Sequence, residues 1–374
     1  MIKQLKIENF RCFGKSTLSG FERVNLIGGQ NNSGKTAFLE ALYLNQSPLA
    51  ATVMRMRGIN KETILAFPER AWNGLFLNHD SKRLGKIISN VDDNSIPVIL
   101  QLSFHYSSQP DIINKYDIGF DITEDLREIR QICSSFAHSE NYILELSYQA
   151  NTEETPLVLA LISSIDNGTK NIKLGRKPSN KVAELQSISF ISATEKASSR
   201  YLAEQYDKCY LQGYDEKVKD AFHIIDPSIT EIRTLMSGEP TLYLSRKNQR
   251  PMSIELFGDA MNRVAHFALE PINNQAGILL VDEIENGIHH SHQKQLWQWL
   301  FALAVELDVQ IFATTHSLEM LTAFKEAAMG TQYESEVAYF EFARHVKTGE
   351  IIAIKREIDN LDYALERNKG IRGE

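Results

Sequence analysis

Eight consecutive residues, Gly29-Gln30-Asn31-Asn32-Ser33-Gly34-Lys35-Thr36, follow the pattern GxxxxGK[ST]. Residues of these types at this spacing bind phosphate. Glycines let the backbone curl until successive N–H groups point at one anion, and a helix opening at the end of the loop adds the field of its N-terminus. The flanks suit the motif: Val24-Asn25-Leu26-Ile27 reads as a strand before the loop, and Ala37-Phe38-Leu39-Glu40-Ala41-Leu42 as a helix after it. Lys35 is placed to neutralise β and γ phosphates, and Thr36 to offer its hydroxyl to Mg²⁺, with Ala37 ending the nucleotide-binding stretch. Far along the chain, Ile278-Leu279-Leu280-Val281-Asp282-Glu283 has the pattern of a buried strand ending in two carboxylates. Asp282 suits a magnesium ligand, and Glu283 suits a group that orients or deprotonates an attacking water. Jointly, in this order, the two stretches point to a nucleoside triphosphate site with Mg²⁺.

Other elements must hold those residues in place. Ile2 to Phe10 alternates apolar and polar residues as a half-buried strand does, and Gly14 suggests a turn into a second strand. Strands are expected over Ile96 to Tyr106, Tyr142 to Tyr148 and Leu157 to Ile162, forming an antiparallel sheet inserted after the first helix, with a polar helix-like stretch from Glu124 to Phe136. Trp72 belongs to a packed core. Lys170, Lys173, Arg176, Lys177 and Lys181 read as a basic, solvated loop, with a nucleic-acid contact as the other reading. Ser187 to Ala193 returns to a buried-strand pattern, Thr194 to Gln212 reads as a long helix or helix pair, and Ile229 to Leu244 as a hairpin about Ser237-Gly238-Glu239-Pro240. A helix from Gln293 to Leu307 precedes a strand, Val309 to Ser317, that ends in His316. The tail holds a hairpin, Val337 to Arg344 with Ile351 to Arg356, then a helix through Leu361 and Leu365.

The 374 residues, 43% hydrophobic and 24% charged, allow an ample core and about two domains. A net charge of -8 argues against a surface basic everywhere, while a local basic patch for DNA stays compatible with it. With no apolar run of membrane-spanning length and no signal-peptide pattern at the N-terminus, a cytoplasmic protein is expected. Cys12, Cys133 and Cys209 fit reduced thiols better than a disulfide framework or a zinc site. His289, His290 and His292 have no accompanying Cys that would suggest zinc.

The run Ile7-Glu8-Asn9-Phe10-Arg11-Cys12-Phe13, followed by Leu26 to Thr36, resembles the ABC-type ATPases of the SMC and RecF kind. The resemblance makes Arg11 a candidate phosphate contact, the other reading being a solvent-facing arginine at a strand end. Ile254 to Arg263 resembles that group's signature motif, which implies that N–H groups at Gly258 and Asp259 bind the γ phosphate held by a second subunit; Ala260 stands where the group often has glycine. Glu285 to His289 resembles the D-loop at the dimer seam, and His316 occupies the slot of a histidine that bonds the γ phosphate. For the glutamine that senses Mg²⁺, Gln101 and Gln205 are both available. The tail resembles the end of the ATPase part of OLD-like proteins, whose larger members continue into a TOPRIM nuclease; no Asp-x-Asp cluster follows here.

What the resemblance implies is an α/β fold: an ABC-type head with a mixed sheet, an antiparallel lobe and an inserted helical arm. The core would be residues 1–45 and 187–374, and the insertion residues 46–186. The implied function is an ATP-hydrolysing switch that forms a homodimer or higher homo-oligomer and controls a separate effector such as a nuclease, plausibly in antiphage defence, with no membrane partner. One alternative is a RecF-like repair ATPase acting on DNA. A second, of another class, is a P-loop kinase.

Overall fold

A computed structural model of the chain describes residues 1–91, 95–108, 115–118, 139–150, 156–166, 169–177 and 185–358. The first elements are β1 (Gln4–Phe10), β2 (Phe13–Ser19), β3 (Val24–Gly29), α1 (Lys35–Gln46), α2 (Ala50–Met54), α3 (Lys61–Ala66) and α4 (Pro68–Asn73). Next come β4 (Gly85–Asn90), β5 (Val98–Ser107), β6 (Asp117–Ile118), β7 (Ser139–Gln149), β8 (Leu157–Asp166), β9 (Thr169–Arg176) and β10 (Ile188–Ile191). The second half holds α5 (Ser199–Leu211), α6 (Asp215–Ile225), β11 (Ile229–Ser237), β12 (Glu239–Arg246), β13 (Met252–Ser253) and α7 (Asp259–Asn273). It ends with β14 (Ile278–Val281), α8 (His290–Glu306), β15 (Gln310–Thr314), α9 (Leu318–Ala328), β16 (Val337–Arg344) and β17 (Ile351–Arg356).

A six-stranded sheet in the order β10-β14-β15-β3-β16-β17 organises the molecule; it is parallel up to β16, with β17 antiparallel at its edge. Both faces of its middle are covered, so β3, β14 and β15 are buried at every residue, which is why they read as unbroken apolar runs. One face packs Leu26, Leu279 and Ile311 against α5 to α9. The other packs Leu280, Phe312 and Phe340 against Phe38 and Leu42 of α1, whose far side meets Leu5, Ile7 and Leu100 of a second, eight-stranded antiparallel sheet. Helix α1 is thus clamped between two sheets, and a knot of Phe21, Phe38, Phe312 and Phe340 rings, with centroids 5.0 to 6.1 Å apart, fixes it at the seam. Consequently the carboxyl ends of β14, β15 and β3, three neighbours in one sheet, lie side by side beside the N-terminus of α1. In open α/β sheets this is where ligands bind.

The α/β fold with a mixed sheet and an antiparallel lobe agrees with the sequence reading, and so do the hairpins β11–β12 and β16–β17. Trp72 is fully buried in the core. Several details differ. The turn after β1 falls at Arg11-Cys12, with Arg11 at φ 52, while Gly14 lies inside β2. Strand β1 pairs with β2 on one side and β4 on the other, so the chain up to Ser19 shares a sheet with the segment 46–186. Strand β10 is an edge strand only half buried, and α5 starts at Ser199, where the Ser198 hydroxyl caps it. The basic stretch is no loop: Lys170, Lys173 and Arg176 lie on strand β9, whose Ile172 and Leu174 pack into the core. Just past that strand, Lys177 pairs with Glu145 at 2.9 Å. Glu124 to Phe136, Cys133, Lys181 and the helix expected through Leu361 and Leu365 lie outside the described residues. Among the described residues no helix is long and apolar enough to cross a membrane.

Candidate active site

The loop from Gly29 to Thr36 joins β3 directly to α1. Gly29 has φ 140 and a side chain there would meet the Phe342 carbonyl oxygen at 2.2 Å, while Gly34 has φ 92 and faces the Cys12 thiol at 2.9 Å. Both positions therefore demand glycine, for backbone conformation and for space. Gly34 caps α1 without any side-chain bond, so the first-turn N–H groups of the helix remain available to an anion. Gln30, Asn31 and Asn32 form the exposed crest of the loop; Ser33 is buried, with its hydroxyl unpartnered, and Ala37 is half buried at the start of the helix. The Lys35 ammonium donates to the carbonyl oxygens of Gly29 at 2.7 Å and Gln30 at 2.9 Å. Burial lowers its pKa, and the nearby carboxylates of Asp282, Glu285 and Glu283 oppose that fall.

At the end of β14, Asp282 is almost fully buried and accepts from the Thr36 hydroxyl at 3.0 Å and from the Thr314 hydroxyl at 2.6 Å. Phosphate loop and acidic strand thus touch through the two residues named from sequence as metal ligands. One carboxylate and one hydroxyl are hard oxygen donors, and with phosphate and water oxygens completing the shell they suit Mg²⁺. Glu283 adopts φ 50, its N–H donating to the Thr314 hydroxyl at 2.9 Å and its carboxylate accepting from Asn286 at 2.8 Å. His316 follows β15 in the next loop, its Nδ1 2.9 Å from Glu285 and 4.0 Å from Glu283.

A cavity of about 1230 Å³ runs from Thr36, Asp282 and Glu283 past Glu40 to Phe76 and His79. Five of the nine non-glycine residues with positive φ among those described line it, namely Arg11, Asn32, Asn78, His79 and Glu283. Such concentration of rare backbone conformations is typical of functional sites. Arg11 lines the cavity as expected, but its guanidinium is largely committed elsewhere: it bonds both oxygens of the buried Glu40 and the carbonyls of Gly74 and Arg57. It braces the cavity wall. Neither Gln101 nor Gln205 lines the cavity, and Gln205 is held by Asn273 at 3.1 Å. Gly258 and Asp259 also lie off that lining. Gly258, at φ 85, opens α7 without a side-chain cap, Asp259 pairs with Lys196 at 2.9 Å, and Gly287 packs against this turn.

Sequence reasoning assigned no role to three residues the structure brings to the site. Arg263 of α7 is buried and donates to the carbonyls of Ser192 at 2.7 Å, Asp282 at 2.8 Å and Glu283 at 3.2 Å, tying the helix after Gly258 to the acidic strand. Burial lowers its pKa, against the pull of Asp282, Glu285 and Glu283. Thr314 links Asp282 to the Glu283 backbone, and Glu285 binds His316. A hydroxyl at the end of a strand is the one local signal that Thr314 offered.

Comparison with known proteins bears on this geometry. A curated Helicobacter pylori protein named "ATP/GTP phosphatase" is 22% identical over 384 aligned positions, covering 100% of each chain. Among solved structures, an Smc head bound to the C-winged helix domain of ScpA is 11% identical, covers 97% of this chain and 99% of its own, and has a TM-score of 0.49. An SMC head domain from Thermotoga maritima is 13% identical, covers 95% and 99%, and has a TM-score of 0.40. The family described as "AAA domain, putative AbiEii toxin, Type IV TA system" matches residues 24–322, which span both the phosphate loop and the acidic strand, and the chain belongs to this family of ATPases.

Proposed function

We propose that the chain hydrolyses ATP with Mg²⁺ and uses the cycle as an assembly switch. Lys35 and the loop N–H groups hold the phosphates, Thr36 and Asp282 hold the metal, Glu283 prepares the water, and His316 stands beside the γ phosphate. The observation that carries this reading is the direct bond between Thr36 and Asp282, which unites the two halves of the motif at one point. The Helicobacter pylori relative's name, a phosphatase of ATP and GTP, supports hydrolysis over phosphoryl transfer to a second substrate. Gly258 and Asp259, away from the cavity on a helix start with no side-chain cap, support a site completed by a second copy across a two-fold axis. The family's description, with its toxin–antitoxin term, supports a role in abortive infection or antiphage defence through a separate effector such as a nuclease. Product analysis tests the chemistry: ADP and inorganic phosphate should appear without any acceptor and disappear in Lys35→Ala. ATP turnover that depends on a phosphorylated acceptor would indicate a kinase instead.

A further inference from the structure

The loop after β14 carries a third acidic residue, which the proposed chemistry does not use. Glu285 accepts from the His316 backbone N–H at 2.8 Å and lies 2.9 Å from His316 Nδ1, both through the same oxygen. Its side chain is 9% exposed, against 46% for the imidazole, and its second oxygen is buried without a partner. A carboxylate oxygen only accepts, so this neighbour favours the tautomer that carries its proton on Nδ1. Nε2 is then the ring nitrogen left for the phosphate and the water. Two cations, Lys35 from α1 and Arg263 from α7, face the Glu285–Glu283–Asp282 cluster and are coupled to all three carboxylates. Glu283 is 4.0 Å from the same imidazole.

We infer that Glu285 is a positioning residue for hydrolysis, acting through His316 by fixing its ring orientation and tautomer. This rests on the ATPase reading above. A buried acidic group holding an imidazole by Nδ1–H is an arrangement whose loss costs catalysis and leaves ligand affinity largely intact, because the wrong tautomer presents the wrong nitrogen. Neighbouring parallel strands β14 and β15 bring the two loops together, so the pair is built into the sheet and does not depend on a mobile segment.

Four proteins test it: wild type, Glu285→Gln, His316→Asn and the double variant, each assayed for ATP hydrolysis, ATP affinity and thermal melting. Glutamine retains an oxygen that can accept the His316 backbone N–H, so Glu285→Gln should melt near wild type and bind ATP within about threefold, while kcat falls roughly a hundredfold. His316→Asn should lose a similar factor, and the double variant should be no slower than His316→Asn, since two residues acting as one unit are not additive. Should Glu285→Gln fail to fold, Glu285→Asp, which keeps the charge but shortens the reach, should lower kcat in the same way. Hydrolysis by Glu285→Gln at the wild-type rate, or losses that multiply in the double variant, would overturn the inference while leaving the ATPase reading intact. A wild-type chain that fails to hydrolyse ATP would overturn the ATPase reading itself.

Discussion

Lys35 donates to the carbonyl oxygens of Gly29 and Gln30 in its own loop, where phosphate oxygens would compete for the same ammonium. Removing the ammonium therefore removes ground-state binding, so Lys35→Ala should show no measurable ATP affinity in equilibrium titration. In the proposed mechanism Glu283 acts on the water, and Glu283→Gln should bind ATP normally while kcat drops by about 10² to 10⁴. These two residues were legible because their types and spacing follow from the chemistry of phosphate and water. Arg11 was not, because the sequence places it beside the nucleotide without revealing the acid that claims it. Glu40 lies on α1, and burial raises its carboxyl pKa while Arg11 and the Arg57 N–H pull it back down. Breaking this pair from one side strands a buried charge. Arg11→Leu should cost about 3 to 5 kcal/mol in denaturant unfolding, and the Arg11→Leu/Glu40→Leu double variant distinctly less. An Arg11→Leu protein of wild-type stability with weakened ATP binding would restore the role as a phosphate contact.

At the level of elements, periodicity revealed the buried strands and the hairpins, whereas β4 and β9 escaped for physical reasons. Glycine and serine dilute the pattern of β4, and the lysines, asparagine and glycine of β9 outnumber its two apolar residues, Ile172 and Leu174, so composition suggested a loop where the chain forms a strand. Helix α7 shows how a helix can bind a site it does not line. Arg263 grips the acidic strand near its start, and Glu270 near its end anchors a polar cluster of Tyr201, His266, Ser189 and Asn274. Burial pushes the Glu270 carboxyl upward, but hydrogen bonds from His266, Ser189 and Tyr201 outweigh it and hold the pKa below the ordinary value. For an acid with a depressed folded pKa, the stability gained is present above the unfolded value and is lost as pH falls through the folded one. Glu270→Gln should accordingly be about 1 to 3 kcal/mol less stable than wild type at pH 7. The gap should narrow as pH drops below about 4.3, read from urea unfolding at each pH. A gap that stays constant down to pH 3 would mean that the carboxylate's charge contributes nothing.

On the scale of the whole molecule, Lys35, Thr36, Asp282 and Glu283 gather at one end of the central sheet, while the Gly258 turn sits apart from the cavity and packs on Gly287. The proposed cycle makes ATP the link between two copies, a two-state element biased by the γ phosphate, and hydrolysis the release. This separation was not visible in the motifs, because a motif carries no distance; resemblance alone suggested it. Gly258→Arg meets nothing within 4 Å of its Cβ but strains a backbone at φ 85, so its melting temperature and ATP affinity are measured first, and its assembly is read once both match wild type. The central claim is tested most directly by light scattering of Glu283→Gln and of Glu283→Gln/Gly258→Arg, each with and without ATP and Mg²⁺. ATP should shift Glu283→Gln to a stable assembly of at least two subunits and leave the double variant unshifted; identical masses for the two proteins under all conditions, together with full hydrolysis by Gly258→Arg alone, would contradict the account.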